Sequence, residues 1–276
     1  LVDGVQASAI INNSVVSRIA AAAVMMPLTI GLTWMGGLPF ALLLMLCAGL
    51  MAREWTRLCG AMPDSVPGLV MAAGSVGVIA GTFFFPEYSL AAATCIILYF
   101  VIRRLPAGGL SQRGHVWLAA GALAIIPTGL SLLWLRTFPA DGLTIVLWLF
   151  AVVWATDIAA YAVGKSIGGP RLVPTISPNK TWAGLLGGLG GAMLVGFLIS
   201  FAISGEPHLA AALAGLVIGL AANTGDIFES FLKRRFDAKD SGGLIPGHGG
   251  VLDRLDSLLA AAPAAVLIYN LGWRWL

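Results

Sequence analysis

The chain has 276 residues, of which 58% are apolar and only 11% charged, and its mean hydropathy is +0.91. A water-soluble domain has too little interior to hide that much apolar surface, so composition excludes that class. The formal net charge of +3 is small, and no nucleic-acid partner is expected.

The apolar residues fall in uncharged blocks of roughly 18 or more residues, long enough to cross a bilayer as helices. They lack the period-two alternation of a membrane barrel, and the 35 glycines suit close helix packing. The expected fold class is all-α, a polytopic integral membrane protein with about nine transmembrane helices. In chain order the spans are placed at 19–35, 38–52, 67–84, 88–102, 116–135, 142–163, 182–204, 208–225 and 257–272. The first four are short for full crossings with tight turns at Gly36-Gly37 and Pro86-Glu87, so each pair also reads as a tilted or re-entrant hairpin. No removable signal peptide is expected, because no short apolar core with a small-residue cleavage site precedes the first span. Cys47, Cys59 and Cys95 have no metal-type spacing and read as packing residues.

Lys and Arg collect in short cytoplasmic loops. With the N-terminus inside, nine spans place Arg18, Arg53, Arg57, Arg103, Arg104, Arg113, Lys165, Arg171, Lys180, Lys233, Arg234, Arg235, Lys239 and Arg254 on the cytoplasmic side. Of the 16 basic residues only Arg136 and Arg274 fall outside. The chain reads as a single membrane domain: residues 1–140 are mainly scaffold, and 141–276 form a working half whose polar groups cluster at the cytoplasmic face.

Three constellations lie on that face. Asp157, Tyr161 and Lys165 recur every four residues along one helical face at the end of the sixth span. Ser177-Pro178-Asn179-Lys180-Thr181-Trp182 leads into the seventh span; there Pro178 fixes a turn, Thr181 caps the helix, and Lys180 stands beside hydroxyls at a helix N-terminus, which suits phosphate. The densest is Asp226 to Asp256. If the eighth span continues as a helix past Gly225, Asp226, Glu229 and Lys233 share a face, with Ser230 and Arg234 beside it. Beyond it Pro246-Gly247-His248-Gly249-Gly250 forms a turn whose amides suit an anion, followed by Asp253, Arg254 and Asp256. Ionisable groups gathered near a bilayer mark function. Carboxylates beside several basic residues suit a divalent metal, Mg²⁺, holding phosphates, and hence phosphoryl or nucleotidyl transfer. There is no Walker A pattern and no Gly-x-Gly-x-x-Gly after a strand.

Ser230-x-Leu232-Lys233-Arg234, then Lys239-Asp240, then Pro246-x-His248-Gly249-Gly250-x-x-Asp253-Arg254-x-Asp256 resembles the signature of the phosphatidate cytidylyltransferases, the CDP-diacylglycerol synthases. Ser177-Pro178-Asn179-Lys180-Thr181-Trp182-Ala183-Gly184, Asp157-x-x-Ala160-Tyr161-x-x-Gly164-Lys165 and Arg53-Glu54-Trp55 resemble further segments of that family. Asn179 stands where a second Lys is common, and Asp237-Ala238 where a Gly-Val pair is often seen.

The resemblance implies transfer of CMP from CTP to phosphatidic acid, giving CDP-diacylglycerol and pyrophosphate, in a bacterial-type cytoplasmic (inner) membrane with the active site facing the cytoplasm. It also implies a monovalent cation such as K⁺ and a homodimer. Asp226 and Asp253 are expected to hold Mg²⁺, with Asp256 as a further partner. Lys233, Arg234, Lys239 and Lys180 are expected to bind triphosphate or lipid phosphate. Ser177, Asn179, Thr181, Asp157, Tyr161, Lys165, His248, Gly249, Gly250 and Arg254 are expected to line the substrates. A rival within the same chemistry is a CTP-dependent membrane enzyme acting on another lipid, such as a polyprenol-type kinase or an archaeal ether-lipid cytidylyltransferase. A rival outside it is a secondary transporter for a phosphorylated solute, which predicts charges at mid-membrane and inverted halves.

Overall fold

The computed structural model describes residues 23–102, 112–244 and 249–272. The elements run α1 (Ala23–Met35), α2 (Gly37–Leu58), α3 (Val66–Phe84), a single 3₁₀ turn (Pro86–Tyr88), α4 (Ser89–Ile102), α5 (Gln112–Thr137), α6 (Gly142–Ile167), β1 (Arg171–Val173), β2 (Ser177–Thr181), α7 (Trp182–Ser204), α8 (Leu209–Arg235), α9 (Leu252–Leu255) and α10 (Leu258–Asn270). The helical class is borne out, with one exception. Residues 171–181 form a small antiparallel hairpin, pairing Arg171 with Thr181 and Val173 with Ser177. Pro178 therefore sits in a strand, and the turn lies before it.

Among the described residues six helices, α2, α3, α5, α6, α7 and α8, are long and apolar enough to cross a membrane. At 1.5 Å per residue, the 14 residues of α4 and the 13 of α10 rise only about 20 Å, short of a hydrocarbon core of about 30 Å. Outward faces carry large apolar side chains, such as Leu38, Leu42 and Leu46 on α2 and Leu186, Leu194 and Leu198 on α7. That is the surface of an integral membrane protein, whose solvent is lipid.

Helix ends explain where the expected spans fell short. The second and eighth were ended at their first charges, Arg53 and Asp226, but a charge does not break a helix. α2 runs on to Leu58 and stops beside Gly60, whose φ is +75°, and α8 runs on to Arg235 and stops at Asp237, whose φ is +52°. Thr181 caps α7 by accepting from the Gly184 amide at 3.0 Å, and Ser65 caps α3.

The core lies between α2, α5 and α10. Phe40, Leu44, Ala48, Met51 and Trp55 form one buried stripe of α2, and the Trp55 Nε1 donates to the Trp117 carbonyl of α5 at 2.8 Å. Thr128, next to Pro127 inside α5, donates to the Leu259 carbonyl of α10 at 3.2 Å. Arg136, one of the two basic residues outside the cytoplasmic set, donates to the Thr33 and Trp34 carbonyls at the end of α1. Its location thus has a structural use, satisfying carbonyls that a helix end leaves unpaired. Arg18, Arg103, Arg104 and Arg274 lie outside the described residues, as do residues 19–22 of the first expected span and the side chain of Arg113.

Candidate active site

The C-terminal ends of α2, α6 and α8 meet the hairpin, the start of α7 and the single turn α9 at one end of the bundle. Because α8 continues past Gly225, Asp226, Glu229 and Lys233 project in register as anticipated. A side chain at Gly225 would run into the Asp256 carbonyl, so glycine there lets the chain around α9 lie directly against α8.

The hairpin is fastened to α8 at two points. The Lys180 Nζ lies 2.7 Å from the Asp226 Oδ2, with both side chains mostly buried, and the Ser230 hydroxyl donates to the other Asp226 oxygen at 3.5 Å. The Arg234 Nε donates to the Ile176 carbonyl in the hairpin turn at 3.2 Å. Motifs more than forty residues apart in sequence thus become one surface, with Ser177 half-buried and Asn179 exposed on the same strand.

A second group surrounds Lys233. Its Nζ lies 2.6 Å from the Glu229 Oε2 and 2.9 Å from the Asp253 Oδ1. Asp253 also accepts from the Ser241 amide at 3.0 Å and the Gly250 amide at 2.8 Å. Burial works against the charge of Asp253, but contacts with Glu229, Lys233 and the Gly250 amide outweigh it and hold its pKa down to about 2. Lys233 has three N–H donors, and two carboxylates engage it. Gly249, at φ +81°, leaves the space beside Asp253 that any larger residue would fill.

Asp256 belongs to a different neighbourhood. It accepts from the Ser257 amide at 2.7 Å and feels the charges of Asp226 and Asp157. Burial first, then the Asp226 carboxylate, push its pKa up to about 7. Asp157 itself is exposed, within electrostatic reach of Asp226 and Lys180. Lys180 is paired with Asp226 and within electrostatic reach of Asp157, while the cation that Asp256 feels is Lys233.

Among the described residues no three His, Cys, Asp or Glu side chains stand close enough to hold a metal ion unaided. Asp226 and Asp256 nevertheless supply hard oxygen donors whose mutual repulsion a divalent cation would relieve, with substrate phosphate oxygens and water completing its shell. The donor set therefore fits Mg²⁺. Asp253 is the more fully engaged acid, its oxygens meeting Lys233 and two amides at 2.8 to 3.0 Å, whereas Asp226 meets Lys180 and one long contact from Ser230.

Tyr161 and Lys165 contact each other, with the Lys165 Nζ 3.5 Å from the Tyr161 hydroxyl, and both are exposed. Lys239 and Arg254 are exposed, Thr181 is taken up in capping α7, and His248 and Gly247 lie outside the described residues. Two buried acids stand here to which the sequence reading gave no site role, Glu229, placed only on the face of Asp226 and Lys233, and Glu54. The available signal was their occurrence in otherwise apolar helices, where an ionisable residue is functional by default.

A family model described as "Cytidylyltransferase family" matches residues 16–271. Phosphatidate cytidylyltransferase of Brucella suis is 38% identical over 260 residues, covering 93% of this chain and 92% of that protein. The protein of the same name from Pseudomonas aeruginosa is 33% identical over 268 residues, 93% of this chain and 97% of its own length. That from Rickettsia bellii is 37% identical over 209 residues, 70% of this chain and 90% of its own.

Proposed function

The chain belongs to the cytidylyltransferase family, and from that premise we propose that it transfers CMP from CTP to phosphatidic acid, producing CDP-diacylglycerol and pyrophosphate. The supporting observation is the meeting of Lys180, from the hairpin, with Asp226, from α8, in a chain whose relatives bearing that activity in their names match it nearly end to end.

A lipid phosphomonoester is mostly dianionic at neutral pH. One of its oxygens attacks the α-phosphorus of CTP, the bond from that phosphorus to the bridging oxygen breaks, and pyrophosphate leaves with the electron pair. No protein nucleophile is needed, so catalysis rests on alignment and on charge stabilisation. Lys180, Arg234, Lys239 and Arg254 supply positive charge for the phosphates, with Ser177 and Asn179 on the same strand as hydrogen-bonding partners. Lys233 has one donor left after Glu229 and Asp253. Asp226 and Asp256 would hold a divalent cation, which when bound neutralises phosphate charge and polarises the attacked phosphoryl group.

We place this site at the cytoplasmic face of a nine-span arrangement with the N-terminus inside, on the strength of the distribution of Lys and Arg. The basic end would then attract an anionic lipid whose acyl chains stay in hydrocarbon. Resemblance alone supports the homodimer and the monovalent cation.

The test supplies purified protein in detergent with labelled CTP, phosphatidic acid and Mg²⁺. Labelled CDP-diacylglycerol and pyrophosphate in equal amounts are expected, both absent from Asp226→Asn. Wild-type protein that is folded yet yields neither product would overturn the reading and turn attention to other lipid acceptors.

A further inference from the structure

Glu54 lies on α2, in the half of the chain that reads as scaffold, yet its side chain ends at the candidate site. It is 4% exposed. Its Oε1 accepts from the Val251 amide at 3.0 Å, and its Oε2 accepts from the Leu252 amide at 2.8 Å and the Ser241 hydroxyl at 3.4 Å. Both oxygens are therefore spent on Ser241 and on the 251–252 backbone just before Asp253.

That segment is held from two sides. Ser241 donates its amide to Asp253 and its hydroxyl to Glu54, so the two carboxylates grip the same residue from opposite halves of the molecule. Gly250 completes the fit: its amide goes to Asp253, and a side chain there would collide with Ser241 and Glu54. Gly242 is similarly tight, with a Cβ position 3.0 Å from the Glu54 Oε1. Asp253 in turn holds Lys233 at 2.9 Å. The line of contacts runs Glu54, then Ser241 and the 250–252 backbone, then Asp253, then Lys233.

We propose that Glu54 is a positioning residue for cytidylyl transfer, fixing Ser241 and the 250–252 backbone from α2 so that Asp253 and Lys233 stand in the geometry the reaction uses. The proposal rests on the reaction proposed above only for its kinetic consequence; the mechanical claim stands on the hydrogen bonds. Glu54→Gln is nearly the same size but keeps only one acceptor oxygen, turning an N–H group toward donors that previously met an acceptor. The segment should loosen without α2 being lost.

The experiment compares full-length wild type and Glu54→Gln in detergent by steady-state kinetics, thermal midpoint and hydrogen exchange. A small misplacement of reacting groups costs about 10- to 100-fold in rate, so kcat is expected to fall by about that factor while KM for CTP moves less than about threefold. The thermal midpoint should stay within a few degrees, and exchange should quicken in peptides covering 241–255 alone. A kcat within about twofold of wild type, or exchange quickened throughout α2, α3 and α5 with a collapsed midpoint, would overturn the proposal. Should Glu54→Gln not fold, Ser241→Ala decides: a smaller fall in kcat with local exchange supports the proposal, and no change in either overturns it. If wild type shows no cytidylyl transfer, the proposed reaction fails while the exchange comparison still reads Glu54.

Discussion

Two groups of acids share this end of the bundle and draw on the same two short stretches of chain. Asp226 and Glu229 are three residues apart on α8, and Asp253 and Asp256 three apart around α9, yet one member of each pair joins each group. Glu229 and Asp253 close around Lys233, and backbone amides fill the remaining acceptor positions of Asp253. Asp226 and Asp256 lie within electrostatic reach of each other, with Asp157 nearby and Lys180 paired to Asp226. The first group is closed by its own contacts, two carboxylates gathered on one ammonium with backbone amides on Asp253, and suits holding a shape. The second carries surplus negative charge and suits receiving a cation with its phosphates.

The contrast is sharpest in activity. Asp226→Asn is expected to lower turnover by about 100- to 1,000-fold or more, in the range lost when a key transition-state electrostatic partner is removed. Thermal midpoint should fall less than in Lys233→Met, since loss of the Lys180 pair is partly offset by relief of repulsion with Asp256; labelled-lipid formation and a melting curve on the same preparation check both halves.

Lys233→Met should behave differently. Removing the central cation leaves Glu229 and Asp253 buried without their partner, and breaking a buried pair in this way costs about 3–5 kcal/mol. A clear drop in thermal midpoint is expected along with lost activity. Adding Glu229→Gln to Lys233→Met should restore part of the stability, and if the double variant melts below the single one, the closed group is misdescribed.

The two groups should also separate by pH. Asp253, held down to about 2, contributes stability that is present above its unfolded pKa of about 3.9 and is lost only as pH falls through about 2. Asp256, raised to about 7 by burial and by Asp226, binds its proton more tightly in the folded state, so its contribution fades as pH rises from about 4 through about 7. Chelator-treated protein should therefore melt progressively lower between pH 5 and pH 8. Asp256→Asn is expected to flatten that slope and Asp253→Asn to leave it in place, read as thermal midpoint against pH.

The smallest effect concerns the end of α8. Asp237 has φ +52°, a left-handed conformation that costs non-glycine residues about 1 kcal/mol and glycine little. Asp237→Gly should keep full activity with an unchanged or slightly higher midpoint, whereas Asp237→Val should lower it. The departure from the Gly-Val pattern noted in the sequence thus falls at a backbone position that favours glycine.

Much of this was legible in residues alone. Apolar blocks located the long helices, because burial in lipid demands uninterrupted hydrophobicity, and α7 falls on the expected 182–204. Spacing put Asp226, Glu229 and Lys233 on one face. Three things were not legible. The hairpin at 171–181 pairs strands of three and five residues, too short for a periodic signal, and Pro178 argued for a turn. The division of Asp253 from Asp256 rests on the contacts of Asp253 with Ser241, Gly250 and Lys233 and of Asp256 with Ser257, which spacing alone does not show. Glu54 was hidden for a third reason: its partners lie nearly two hundred residues away and are mostly backbone amides, which leave no mark in side-chain patterns.

The most direct measurement is Mn²⁺ binding, as a spectroscopic stand-in for Mg²⁺, to wild type and to Asp226→Asn, Asp256→Asn and Asp253→Asn in the presence of CTP. The open group receiving the cation predicts binding weakened at least about tenfold by the first two variants and little changed by the third, matching the distinction between ligand loss and scaffold loss. Equal weakening by Asp253→Asn, or wild-type binding in Asp226→Asn, would contradict the division of labour between the two acid groups.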